Sequence, residues 1–220
     1  MKKILPVLLC MIFVCSIAVL ITKEYLDKSN ESEKPSQDNP SDEQQTFTDY
    51  KQAYLNFLKD KQESHVAFAL VYIDNDDIPE LYLSGVCEAE GDMICSFKNG
   101  TVITQQLNRT GGGQYIERSG DIINQNGNMG RCYTNVYKLN ENAFNITLNA
   151  LSIENVEHIE GEEYNFTYEY FVENTSVSEE EYNDAINSAF DFSRATRLDE
   201  NAVSYYEIIR QLKDGYFDGK

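Results

Sequence analysis

The segment VYIDNDDIPELYL, residues 71–83, sets Asp74, Asp76, Asp77 and Glu80 between two apolar runs. Carboxylates at alternating positions on a curled backbone converge on one centre, which is how hard, oxygen-liganded cations such as Ca2+ are held. Asp74 and Asp76 have that spacing, and Glu80 can reach in from the run that follows. Asn75 and Asp77 are left to face solvent or to close the turn. Pro79 interrupts any regular helix, so the segment is not an EF-hand. The competing reading is a charged turn without metal, because Asp and Asn side chains stabilise turns by accepting from backbone amides nearby. Asp74, Asp76 and Glu80 are therefore the candidate metal ligands, and Ca2+ is the one candidate cofactor.

Other reactive groups are sparse. The chain has two histidines, His65 and His158, at a spacing that matches no helical zinc motif. No GxSxG nucleophile elbow is present. Cys87, Cys95 and Cys132 form no CxxC pair. Cys87 and Cys95 flank EAEGDMI, which leaves open both a disulfide across a turn and separate thiols. No catalytic or cofactor-binding residue is assigned, and the balance favours a protein without catalysis. A pair of carboxylates acting on a glycan is the alternative, since glycoside hydrolysis needs no histidine. The chain has no Trp, but its 15 Tyr leave sugar binding open. RTGGGQY (109–115) lacks the context of a phosphate loop. With QNGNMG (125–130) it is a candidate frame for a ligand.

The elements that position these groups follow from periodicity. FTDYKQAYLNFLKDKQ places Phe47, Tyr50, Tyr54, Phe57 and Leu58 at helical spacing, with a cap near Thr46 or Thr48. HVAFALVYI then reads as a central strand and ELYLSG as the next. DMICSF and TVITQQL flank KNG, a strong hairpin signal. Strand-like runs continue through GGGQYIER, SGDIINQ, GRCYTNVYKL, AFNITLNALSI and YNFTYEYFV. SVSEEEYNDAINSAFD starts a helix with a capping box from Ser178 to Glu181. DENAVSYYEIIRQLKDG places Val203, Tyr206, Ile209 and Leu212 on one face of a last helix. The expected class is α+β: an antiparallel β-meander packed with an N-terminal helix and two C-terminal helices.

The start of the chain differs in kind. After Lys2 and Lys3 comes an uncharged, largely apolar run over 4–22, long enough to span a bilayer. An uncleaved anchor within 1–27 is the favoured reading, with a cleaved signal peptide and a lipoprotein signal as rivals. Residues 28–46 carry Pro35, Pro40 and polar side chains, the composition of a disordered tether. Residues 47–220 then form one extracytoplasmic domain. The formal net charge of −19 is repulsive to nucleic acid, which is excluded as a partner, and attractive to cations. The expected partners are the cell membrane, through the N-terminal helix, and a protein or glycan ligand at the cell surface.

FALVYIDNDDIPELYL, following AYLNFLKDKQ, resembles a strand–turn–strand of the DIDGDGIPEL type. That pattern belongs to secreted or surface proteins of Gram-positive gut bacteria, some of them lipoprotein-like. The likeness is concentrated in residues 50–85 and extends more loosely through GGGQYIERSGDIINQNGNMG and SEEEYNDAINSAF. The turn also looks like the Asp-rich turns of calcium-binding adhesin repeats. In that comparison Tyr72 stands where the first aspartate would be. Asp74 and Asp76 match the next two, Asp77 replaces the turn glycine, and Glu80 matches the terminal glutamate. The resemblance implies a location outside the cytosol and a calcium site weakened by the missing carboxylate. The function expected from the whole reading is a membrane-tethered, non-catalytic binding or structural module at the cell surface.

Overall fold

A computed structural model describes residues 47–157 and 164–215. All elements lie in the compact unit Gln44–Lys220. They run in the order α1 (Tyr50–Phe57), a 3-10 turn (Leu58–Asp60), β1 (His65–Val71), β2 (Glu80–Gly85), β3 (Asp92–Lys98) and β4 (Thr101–Leu107). Then come β5 (Gly113–Ile116), β6 (Asp121–Asn128), β7 (Arg131–Leu139), β8 (Phe144–Glu157), β9 (Asn165–Val172) and β10 (Thr175–Val177). The chain closes with α2 (Glu179–Ala189), β11 (Ala195–Arg197) and α3 (Tyr205–Asp214). The fold is α+β, with one helix before an antiparallel meander and two after it.

The meander divides between β4 and β5. One sheet has the order β1-β2-β3-β4 and the other the order β10-β9-β8-β7-β6-β5-β11. The residues dictate a four-layer arrangement. In β1 to β3, Phe68, Leu70, Leu81, Leu83, Cys95 and Phe97 face α1 and α3. The alternate residues Ala69, Val71, Tyr82 and Ile94, with Leu107 at the end of β4, face the second sheet, where they meet Tyr115, Ile122, Tyr137 and Leu198. The far side of the second sheet packs Ile123, Val136, Leu148 and Ala150 against Tyr182, Ile186 and Phe190 of and beside α2. Phe68–Val71 of β1 and Leu81–Leu83 of β2 are continuously apolar because both of their faces are covered.

The turns carry the signals expected of them. Asn99 and Gly100 both adopt positive φ (52° and 82°) between β3 and β4, as a two-residue hairpin requires. Ser178 and Glu181 close the capping box of α2. Other expectations need correction. HVAFALVYI is the edge of its sheet and not central. An apolar run reports burial on both faces, not strand order, and the outer side of β1 is met by a two-way bridge between Phe68 and Val203. The α1 cap is Asp49, which accepts from the Lys51 amide, not Thr46 or Thr48. α3 starts at Tyr205 after its Ser204 cap, so Ile208 and Leu212 are buried while Tyr206 is 75% exposed. Cys87, Cys95 and Cys132 are free thiols, with Cys95 buried and the other two exposed.

The anchor and tether expected over 1–46 lie outside the described residues. Among the described residues no helix is long and apolar enough to cross a membrane. The helices α1 to α3 run 8 to 11 residues, well short of the roughly 20 that a bilayer core needs. The expectation of a membrane-tethered extracytoplasmic module, with the membrane as partner and a signal-anchor as its means, is corrected accordingly.

Candidate metal centre

The acidic turn joins β1 to β2 and is held from two sides. From below, Tyr54 of α1 is fully buried and its hydroxyl donates to the carbonyls of Pro79 (3.0 Å) and Cys95 (3.3 Å). From the second sheet, the β5–β6 turn closes over it. The Arg118 amide donates to the Tyr72 carbonyl (3.0 Å) and the Gly120 amide to the Ile73 carbonyl (2.7 Å). The Arg118 guanidinium lies 4.6 Å from the Tyr72 ring centre and donates to the Asp76 carbonyl (3.1 Å). Gly120 is required there: its φ is +86°, and a Cβ would sit 2.8 Å from the Leu139 carbonyl oxygen.

The turn itself is built from Asx contacts. Asp74 Oδ1 accepts from the Asp76 amide (3.1 Å), and Asp76 Oδ1 accepts from the Ile78 amide (2.8 Å). Each aspartate keeps its second oxygen for one shared donor. Lys98 Nζ donates to Asp74 Oδ2 and, at 2.7 Å, to Asp76 Oδ2. Burial pulls the Lys98 pKa down, but the hydrogen bonds and charges of Asp74 and Asp76 outweigh it and hold the ammonium above its ordinary value. Asp77 points to solvent, and its backbone is not left-handed. The turn therefore needs no glycine at this position.

Glu80 lies beneath the two aspartates, completely buried. Its Oε2 accepts from the Ile73 amide (2.9 Å) and its Oε1 from the Ser96 hydroxyl (2.9 Å). Burial pushes its pKa up to about 7, against the lowering effect of the Ile73 amide. The Asp74 charge adds to the rise, and Ser96 and Lys98 oppose it. One carboxylate oxygen from each of Asp74, Asp76 and Glu80 lies within 4.8 Å of the others. Three hard oxygen donors at that separation form an acidic cluster capable of coordinating a divalent cation such as Ca2+. The donors fit the ion, but the ammonium of Lys98 already holds two of the three carboxylates.

Above the cluster opens a cleft of about 610 Å³. Turns from both sheets line it: Asn75, Asn99, Ser119, Asn140 and Glu141 around a floor of Ile78, Phe97 and Leu139. The three residues singled out by spacing thus come together. Lys98 and Ser96 were not singled out. A signal existed: in DMICSFK, alternation puts Ser96 and Lys98 on the same face as Ile94, the face buried between the sheets. Two polar residues at the end of such a face must find polar partners. RTGGGQY and QNGNMG, by contrast, contribute nothing to this cleft.

The second buried carboxylate lies elsewhere. Asp92 accepts from the hydroxyls of Tyr82 (2.6 Å) and Ser84 (3.1 Å) and from the Gly85 amide (3.2 Å). It pairs with Ser84 at one end of β2, and Glu80 stands at the other. Two-carboxylate hydrolysis needs acids that face one another across a gap. These two serve separate networks at opposite ends of β2. His65 is buried with its Nδ1 on the Ser64 hydroxyl (2.8 Å), and burial followed by the Lys61 charge holds its pKa below the usual value.

No protein-family model, no curated protein and no solved structure matches this chain.

Proposed function

We propose that this domain is a non-catalytic, cation-responsive binding module. Its acidic turn holds either the Lys98 ammonium or a divalent cation. The observation that carries this reading is the position of Lys98 Nζ, bonded at once to Asp74 and Asp76. A protein that places a positive charge there has a field suited to cations, and an internal ammonium is a competitor that sets the affinity. Displacement frees a lysine side chain beside the cleft, among Asn99, Asn140 and Glu141. Occupancy of the turn is thereby coupled to the charge of the surface above it. The calcium form draws on Asp74, Asp76 and ionised Glu80, with the remaining ligands from neutral oxygens and water.

Calorimetric titration with CaCl2 tests the exchange. The wild type is expected to bind weakly, with Kd on the order of 10⁻³ M, the loose end of calcium sites. Lys98→Met removes the competitor and is expected to bind at least ten times more tightly. Asp76→Asn is expected to abolish the heat in both backgrounds. Failure of the wild type and Lys98→Met alike to take up calcium would overturn the reading.

A further inference from the structure

Among the described residues the outer edge of β9 is unpaired over 165–169. β10 covers only Tyr170, Phe171 and Val172, then leaves for the cap of α2 at Ser178. Among the described residues nothing pairs with Asn165, Phe166, Thr167, Tyr168 or Glu169 on the side away from β8. A free edge is normally blunted by lysine, proline or a bulge. This one has none of them, and its register with β8 runs without a shift.

The two faces of that edge differ. Phe166 and Tyr168 lie opposite Val156 and Glu154, and all share one face. Phe166 is 52% exposed, Tyr168 54% and Val156 54%. Tyr168 stacks on Tyr170 (6.4 Å between ring centres), and Tyr170 packs on Tyr182 of α2 (5.2 Å), so this aromatic row is anchored in the core. The other face carries Glu157, Asn155 and Glu169, with Asn155 Nδ2 donating to Glu169 Oε1 (2.9 Å). Charge is one-sided across the whole segment. Residues 139–193 contain 13 Asp and Glu and no Lys or Arg.

We infer that the β9 edge is a docking site for an extended, basic segment of another protein, added as a further strand. Backbone hydrogen bonds to the open edge supply the pairing, and alternate side chains supply the selection. On one face, apolar residues of the partner extend the Phe166–Tyr168 row. On the other, Lys or Arg residues meet Glu157 and Glu169. The same acidity disfavours a second copy of this chain, whose edge carries the same charge. The inference is independent of the cation site, which lies on the other sheet.

Hydrogen exchange of the full chain, read by mass spectrometry, tests it. The probe is a nine-residue synthetic peptide alternating lysine and valine, with nonalysine and an alternating glutamate–valine peptide as controls. Lysine–valine is expected to slow exchange over 164–172 at least tenfold while β1 to β4 are unchanged. Binding is expected to weaken as NaCl rises above about 0.1 M, where screening shortens to roughly 10 Å. Phe166→Lys with Tyr168→Lys, both at exposed positions, is expected to lose the protection and keep the exchange pattern elsewhere. Three results would overturn the inference. One is no protection at millimolar lysine–valine peptide. Another is equal protection by nonalysine or by the glutamate–valine peptide. The last is peptide-free protection of 164–172 that grows with protein concentration, which assigns the edge to a second copy.

Discussion

The acidic turn and the β8–β9 arm are both rich in carboxylates, and they dispose of them in opposite ways. At the turn, Asp74 and Asp76 share the Lys98 ammonium, and Glu80 is buried on two hydrogen-bond donors. In the arm, acids stay at the surface beside exposed rings, and no lysine or arginine from 139–193 answers them. Charge that is satisfied internally fixes a loop. Charge left outward sets what the surface attracts. Stability should therefore be sensitive to the first region and tolerant of change in the second.

The largest effect is expected from Glu80. Its pKa is about 7 in the folded protein against an ordinary 4.5, so the folded state holds this proton more tightly than the unfolded one. Stability is then greatest below pH 4.5 for this group and is lost as pH rises through 7, by on the order of 3 kcal/mol. Urea unfolding at pH 5 and pH 8 should show that fall in the wild type, and Glu80→Gln should remove it. His65 acts in the other direction. Its pKa is lowered on folding, so its contribution is lost as pH drops below its unfolded value. The Glu80 effect is therefore read most cleanly in a His65→Gln background.

Next comes the shared ammonium. Lys98→Met leaves two aspartates without their partner and should cost about 2 kcal/mol in EDTA. That is less than for a fully buried pair, because the Asp76 side chain is 39% exposed. Gly120→Ala strains a φ of +86° against the Leu139 carbonyl and should cost about 1–2 kcal/mol by the same unfolding measurement. The smallest effect is expected in the arm. Phe166→Ser should change stability by no more than about 0.5 kcal/mol, since the ring is half in solvent. A larger loss there would mean that the arm is part of the core and would erase the contrast.

Much of this organisation was legible in the sequence, and the illegible parts share a cause. Asn99-Gly100, the Ser178 capping box and the alternation of the strands are local signals, and local chemistry satisfies them. The spacing of Asp74, Asp76 and Glu80 is local too, and the three do converge. The partition into two sheets, the edge position of β1 and the arrival of Lys98 at the turn depend on contacts across the fold. Lys98 is 24 residues from Asp74, on a strand that reaches the turn only because β2 and β3 pair in register. The same holds for β9. HVAFALVYI is nearly all apolar and YNFTYEYFV alternates, and that difference reports how well their faces are covered. Neither pattern shows which edge of the strand finds a partner.

The most direct test of the account is thermal unfolding of Lys98→Met in EDTA and in 10 mM CaCl2, beside the wild type under the same two conditions. If the lysine ammonium occupies the place of a cation, the variant melts below the wild type in EDTA, and calcium restores most of the loss while moving the wild type far less. Equal shifts in the two proteins, or a variant that calcium leaves unrescued, would contradict it.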